Sequence, residues 1–292
     1  MRTCFTVFWL VAILGCLNQP GHQRSSPLPG FPLAASGEAE GPHHRQSLIE
    51  IKDDKVRLVD WLQSDGRPER RFLLEIDRYG TVIDRTLLSN GPSFIEPPFS
   101  SLPYIMDGYV VEQRRRRGRF EVWLHREEDS AVRTKLAMLP RARSTRLEGL
   151  ASGPENDGGP NLAVLAWVSE EGDTQVRGML VLDLIAARAS LYRKEGLSAY
   201  AKGKLEAAAE LFLTAFSVDP EEPLGAYNLA LALIRLGQPE RALEYLEKAV
   251  ELDGPRIRVM AARDPEMDPL RSHPDFGAIA GPGGLLRLDE PP

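Results

Sequence analysis

Cysteine is almost absent: the 292 residues carry two, Cys4 and Cys16, both at the very start of the chain. Everything after them is free of thiols, which excludes a disulfide framework, a zinc ribbon and a thiol nucleophile. Histidine is scarce as well, with five in all. His22, His43 and His44 lie in a stretch without neighbouring ligands, so they read as solvated rather than metal-bound. His125 follows Trp123 and Leu124 on an expected strand and reads as a surface or edge histidine, not a general base. Ser130, Ser144 and Ser152 lack the strand-turn-helix setting of a nucleophile elbow, and no Gly-rich phosphate loop precedes a helix. The loop GPENDGGPN (153–161) offers Glu155 and Asp157 but not the spaced oxygen ligands of a calcium loop. There is no cationic surplus either: 36 basic against 42 acidic residues give a net charge of −6, which argues against nucleic acid as a partner. These absences leave no candidate cofactor site, metal site or catalytic group, so no enzymatic activity is expected.

What is present begins at the N-terminus. Arg2 is followed by an apolar run from Phe5 to Leu14, too short to span a bilayer, and then by Gly15 and Cys16. That order is the order of an export signal. Ile13-Leu14-Gly15-Cys16 resembles the lipobox of bacterial lipoproteins. The resemblance implies that Cys16 takes the lipid, becomes the mature N-terminus and holds the protein on a membrane. Leu17, where an Asp would resemble an inner-membrane retention signal, points to the outer membrane in a Gram-negative cell. Residues 18–45 are rich in Pro, Gly and Ser and lack apolar periodicity; this stretch reads as a tether that reaches about 90 Å at full extension.

Residues 192–254 carry one pattern twice at a spacing of 34 positions: Gly196 and Ala230, Gly203 and Gly237, Ala208 and Ala242, Phe212 and Leu246, Ala215 and Ala249. Small residues let paired helices approach, and Phe212, Leu229 and Leu246 fill between them. Ala242, Leu243, Leu246, Ala249 and Val250 recur at the three-and-four spacing of a helix buried on one face. The pattern resembles the tetratricopeptide repeat. The resemblance implies stacked helical hairpins whose first helices line a concave face for an extended peptide or a partner helix. That face would present Arg193, Lys194, Leu197, Tyr200, Tyr227, Asn228, Leu231, Ile234 and Arg235. Such a mixture of aromatic, aliphatic and cationic groups suits a peptide with apolar side chains and a nearby carboxylate. A clamp for a C-terminal carboxylate matches less well: Arg193, Asn228 and Arg258 fit that subfamily, but Leu197 and Ala262 do not. After Gly254 the chain reads as one short helix, DP and HP breaks and a last apolar turn, a cap with Met260, Leu270 and Phe276 buried.

Between residues 46 and 184 apolar and polar residues alternate in short runs: VRLVDWL, RFLLEID, TVIDRTLL, YVVEQ, RFEVWLH, TKLAML, LAVLAWVS and VRGMLVLDL. The alternation predicts eight strands, paired antiparallel through turns at Arg78-Tyr79-Gly80 and Glu171-Gly172-Asp173. Eight strands are too few for a propeller, so a sandwich or curled sheet is expected. Trp61, Phe72, Phe120, Trp123 and Trp167 are the expected core. Arg114, Arg115, Arg116, Arg117 and Arg119 form the single charge run; it reads as a solvated hairpin or as a patch for anions such as lipid head groups.

The expected organisation is therefore α+β and multidomain: a signal and lipobox (1–16), a tether (17–45), an antiparallel β-rich domain (46–184), a helical repeat domain with its cap (185–281) and a disordered tail (282–292). The expected role is a membrane-anchored envelope scaffold that binds a protein or peptide. The alternative is a carbohydrate-binding or hydrolytic β domain docked by the repeats. The residues leave the oligomeric state open.

Overall fold

The computed structural model describes residues 43–52, 54–63, 70–89, 96–116, 119–139, 144–154, 160–171 and 174–281. The expected signal and lipobox, all but the last residues of the expected tether, Glu155 and Asp157 of the calcium-like loop, Arg117 and the expected tail lie outside them.

Eleven strands precede the helices: β1 (His43–Lys52), β2 (Lys55–Gln63), β3 (Arg70–Asp77), β4 (Val82–Leu87), β5 (Tyr104–Met106), β6 (Tyr109–Arg116), β7 (Arg119–Arg126), β8 (Arg133–Met138), β9 (Ser144–Ser152), β10 (Leu162–Glu171) and β11 (Thr174–Asp183). There follow α1 (Leu184–Ala201), α2 (Leu205–Val218), α3 (Pro223–Arg235), α4 (Pro239–Arg263), a 3-10 turn (Pro265–Leu270) and α5 (Pro274–Ala280). Two compact units divide the described chain. One holds residues up to 194 together with 214–225; the other holds 195–213 and everything from 226 onward.

In the first unit a seven-stranded sheet runs in the order β4-β3-β2-β1-β11-β10-β9, and a four-stranded sheet in the order β5-β6-β7-β8. All pairings are antiparallel except β1 with β11, which is parallel. The strands not foreseen are β1, β5 and β9. The first of these starts inside the stretch read as tether, and its buried positions include the polar Gln46 and Ser47. Gln46 donates from Nε2 to Asp60 at 3.2 Å and accepts from the Met179 amide at 3.0 Å, so hydrogen bonds replace the apolar alternation that would mark a strand. The LAVLAWV run of β10 is buried on both faces. Ala163, Leu165 and Trp167 share a core with the four-stranded sheet and with Leu184, Ala187 and Leu191 of α1, while Leu162 and Val164 join the core built from β1, β2, β3 and β11. Of the five expected core aromatics only Trp167 is fully buried; Trp61, Phe72, Phe120 and Trp123 are half-buried and aliphatic side chains fill most of both cores. Gly178 stands directly opposite Trp167, where a Cβ would lie 2.4 Å from the indole. The expected hairpin at Gly80 is present, with φ +80° there and the Gly80 amide donating to the Asp77 carbonyl at 3.0 Å.

In the second unit small residues do what their spacing predicts. Gly196 packs against the ring of Phe212, and Ala208, Phe212, Ala230, Ala242, Leu246 and Ala249 are buried. α4 keeps one apolar face, from Ala242 to Ala261, across a kink at Asp253 (φ −149°, ψ 69°) ahead of Pro255, because proline lacks the amide and crowds the preceding turn. Leu270 and Phe276 of the closing segment are buried as expected; Met260 is half-buried, and Met267, which was not foreseen, has no exposed surface.

Candidate functional site

The face expected to hold a ligand is occupied by the chain itself. Tyr200, at the end of α1, is 5% exposed and Tyr227, on α3, is 1% exposed. The Tyr227 hydroxyl donates to Asp264 at 2.9 Å and the Tyr200 hydroxyl to Glu266 at 3.0 Å. Asp264 caps the 3-10 turn by accepting from the Glu266 amide at 3.0 Å. Met267 and Leu270 of that turn are fully buried. Burial, and then the adjacent carboxylates, push both phenols well above the usual tyrosine range. An Asp-Pro-Glu-Met-Asp-Pro-Leu segment thus sits on the two tyrosines with two carboxylates and two apolar side chains, the chemistry the sequence assigns to a ligand of this face.

The rest of the expected surface is distributed as follows. Asn228, Leu231 and Ile234 are buried on α3, and Asn228 Nδ2 has no hydrogen-bond partner among the described residues. Arg235 is exposed, its guanidinium 4.7 Å from the centre of the Tyr200 ring. Leu197 is half-buried. In the other unit Arg193 pairs with Glu222 at 3.1 Å. Lys194 donates to the Arg133 carbonyl at 2.7 Å and to the Thr134 hydroxyl at 3.0 Å. The open groove expected from nine residues is therefore replaced by a closed one. The physical reason is that α3 is buried at every position from Pro223 to Ile234, so this helix has no free face. Of the clamp residues, Arg258 donates to the Ile279 carbonyl. Asp264 and Glu266 are the site residues the sequence reading missed; the signal that could have found them is the alternation of acidic and apolar residues around Pro265 and Pro269.

The β-rich unit has a cleft of about 590 Å³. Tyr109 donates to the Tyr192 hydroxyl at 2.9 Å across it, and Arg126 lies 5.6 Å from the Tyr192 ring centre. Buried Arg188 and exposed Asp107, Glu127 and Glu128 complete its charged lining. No histidine or cysteine borders it. His125 is buried, not at the surface as expected, and its Nδ1 lies 2.7 Å from the Arg126 carbonyl. Ser152 bonds the Tyr104 hydroxyl at 3.1 Å. Among the described residues no group of three acidic, histidine or cysteine side chains could hold a metal. At the tip of the β6–β7 hairpin Arg114, Arg115, Arg116 and Arg119 are exposed.

No curated protein matches the sequence. Residues 193–256 match the family model described as tetratricopeptide repeat, the segment in which the two helical hairpins, their small-residue contacts and the Tyr200 and Tyr227 positions all fall. The chain therefore carries tetratricopeptide repeats over residues 193–256, behind a β-rich region, and with them a module suited to protein–protein interaction.

Proposed function

We propose that this protein is an exported, lipid-anchored adaptor of the bacterial envelope. In this reading it is not an enzyme; it recruits a protein or peptide partner through the first-helix face of its repeats, and the closing segment is the resident occupant that the partner displaces. The observation that carries the reading is the pair of tyrosine-to-carboxylate bonds, Tyr227 with Asp264 and Tyr200 with Glu266. They mark the chemistry a competing peptide must offer: two acidic groups flanking Met- or Leu-sized side chains. Asn228 adds a buried donor, without a partner among the described residues, for a ligand carbonyl, and exposed Arg235 adds a cation for a carboxylate. Cys16 supplies the anchor and residues 18–45 the reach. In a Gram-negative cell the location is the outer membrane.

The test is a fluorescent peptide of residues 263–272 titrated against the full chain and against Glu266→Ala and Leu270→Asp variants, with circular dichroism as the fold control. Binding to the loosened variants at least tenfold tighter than to the parent, lost again on adding Arg235→Glu, is the expected result. A folded, loosened variant that ignores the peptide would sink the proposal. Cys16→Ala tests the anchor separately: it should move the protein from the membrane to the soluble fraction.

A further inference from the structure

The β6–β7 hairpin ends in an arrangement that a purely structural ribbon would avoid. The outermost pair in its ladder is Arg116 opposite Arg119, and like charges directly opposite destabilise a strand pair. Local neutralisation stops short of the tip. Arg114 is bonded to Glu112 at 2.9 Å. Glu121 is held by Lys135 at 2.8 Å; that hydrogen bond keeps its carboxyl below the ordinary range, and the charge of Arg116 adds a smaller pull in the same direction. Among the described residues Arg115, Arg116 and Arg119 have no carboxylate within ion-pair distance. The neighbouring strands stop lower down: β5 reaches only Val111 and β8 only Glu121. The tip is thus a two-stranded cationic ribbon on a chain whose net charge is −6. It also carries apolar surface at the level of the charges. The Arg115 guanidinium lies 5.6 Å from the centre of the Phe120 ring, and Arg119 Nη1 lies 3.7 Å from the sulfur of Met138, which is 37% exposed.

We propose that this tip docks the folded β-rich unit on an anionic lipid surface, the three unpaired arginines meeting phosphate groups while Phe120 and Met138 sit at the head-group boundary. Fixed cations beside the exposed Met138 and the half-buried Phe120 match a surface whose own charges lie in one plane above hydrocarbon. Keeping a repulsive cross-strand pair where a Glu would stabilise the ribbon is a local cost of the kind that functional sites carry. The inference relies on the envelope location proposed above for its setting only. It needs no lipid on Cys16, so the two ideas fail separately.

The experiment uses the full chain carrying Cys16→Ser and measures its partition into vesicles of neutral phosphatidylcholine and into the same vesicles with about a third phosphatidylglycerol. The ratio of the two cancels whatever the N-terminal apolar run contributes. Each arginine near an anionic surface contributes roughly a factor of five, so three give an expected preference of roughly a hundredfold, collapsing as salt shortens the screening length. Arg116→Glu changes the tip by two charge units and should lower the ratio about 25-fold. The same substitution places opposite charges across the ladder and should raise the melting temperature by about 1–3 °C, so misfolding does not mimic the result. An equal ratio in parent and variant, or no preference for anionic vesicles in the parent, overturns the proposal. Tighter binding to soluble polyglutamate than to the vesicles would assign the tip to an acidic protein instead and overturn the lipid assignment.

Discussion

Two glycines of the first repeat do different work. At Gly196 the helix backbone lies so near Phe212 that a Cβ would come within 2.6 Å of the ring. Gly203 has φ +73° with nothing within 4 Å of an added Cβ; there the backbone, not space, excludes other residues. Gly196→Ala should cost about 1–3 kcal/mol through overpacking of a buried aromatic, and Gly203→Ala about 1–2 kcal/mol through the left-handed backbone alone. Urea denaturation of both variants separates them when each is combined with Phe212→Leu: the smaller side chain should relieve the first cost and leave the second untouched. Both glycines were legible in the sequence, because a 34-residue echo at Ala230 and Gly237 assigns one to a helix contact and the other to a turn.

For α3 the reading of the sequence was right about the helix and incomplete about its neighbours. Between Pro223 and Ile234 the only residue with a fully polar side chain is Asn228, and a helix apolar on all sides is one that something covers. The resemblance to a repeat supplied an open face, whereas that composition pointed to a closed one. What closes it is a contact between residues 37 positions apart, Tyr227 and Asp264, and no local pattern announces a pairing of that kind. Removing the hydroxyl leaves a buried carboxylate short of a donor, so Tyr227→Phe should destabilise the protein by about 1–3 kcal/mol. Hydrogen exchange locates the effect: the Glu266 and Met267 amides should exchange faster in the variant, with those of β10 unchanged. A uniform change along the chain would show that the bond does not hold the closing segment.

At the scale of the whole molecule, stability against pH reports on groups whose roles the sequence misassigned. Strand content was readable where one face is apolar, but β1 escaped because polar Gln46, held by hydrogen bonds, and Ser47 occupy buried positions. Lys194 escaped in the opposite sense, being read as a solvent-facing ligand contact. Its ammonium is instead held by the Arg133 carbonyl and the Thr134 hydroxyl, and loss of hydration, with Arg193 beside it, lowers its pKa to about 8. An unfolded lysine titrates near 10.4. Between those two values the unfolded chain binds the proton that the folded chain has released, so this group makes stability rise with pH from about 8 toward 10. Below 8 both states are protonated and the charged form is held at a cost. Tyr79, raised to about 12 by burial and by Glu221, acts with the opposite sign, since its contribution is lost as pH climbs above 10. The window from pH 8 to 9.5 therefore isolates the lysine. In chemical denaturation across that window the parent should gain stability relative to Lys194→Met, and below pH 8 the difference should be flat. Parallel curves for the two proteins throughout would mean that Lys194 keeps its proton at an ordinary pKa, and that its place beside Thr134 carries no electrostatic cost.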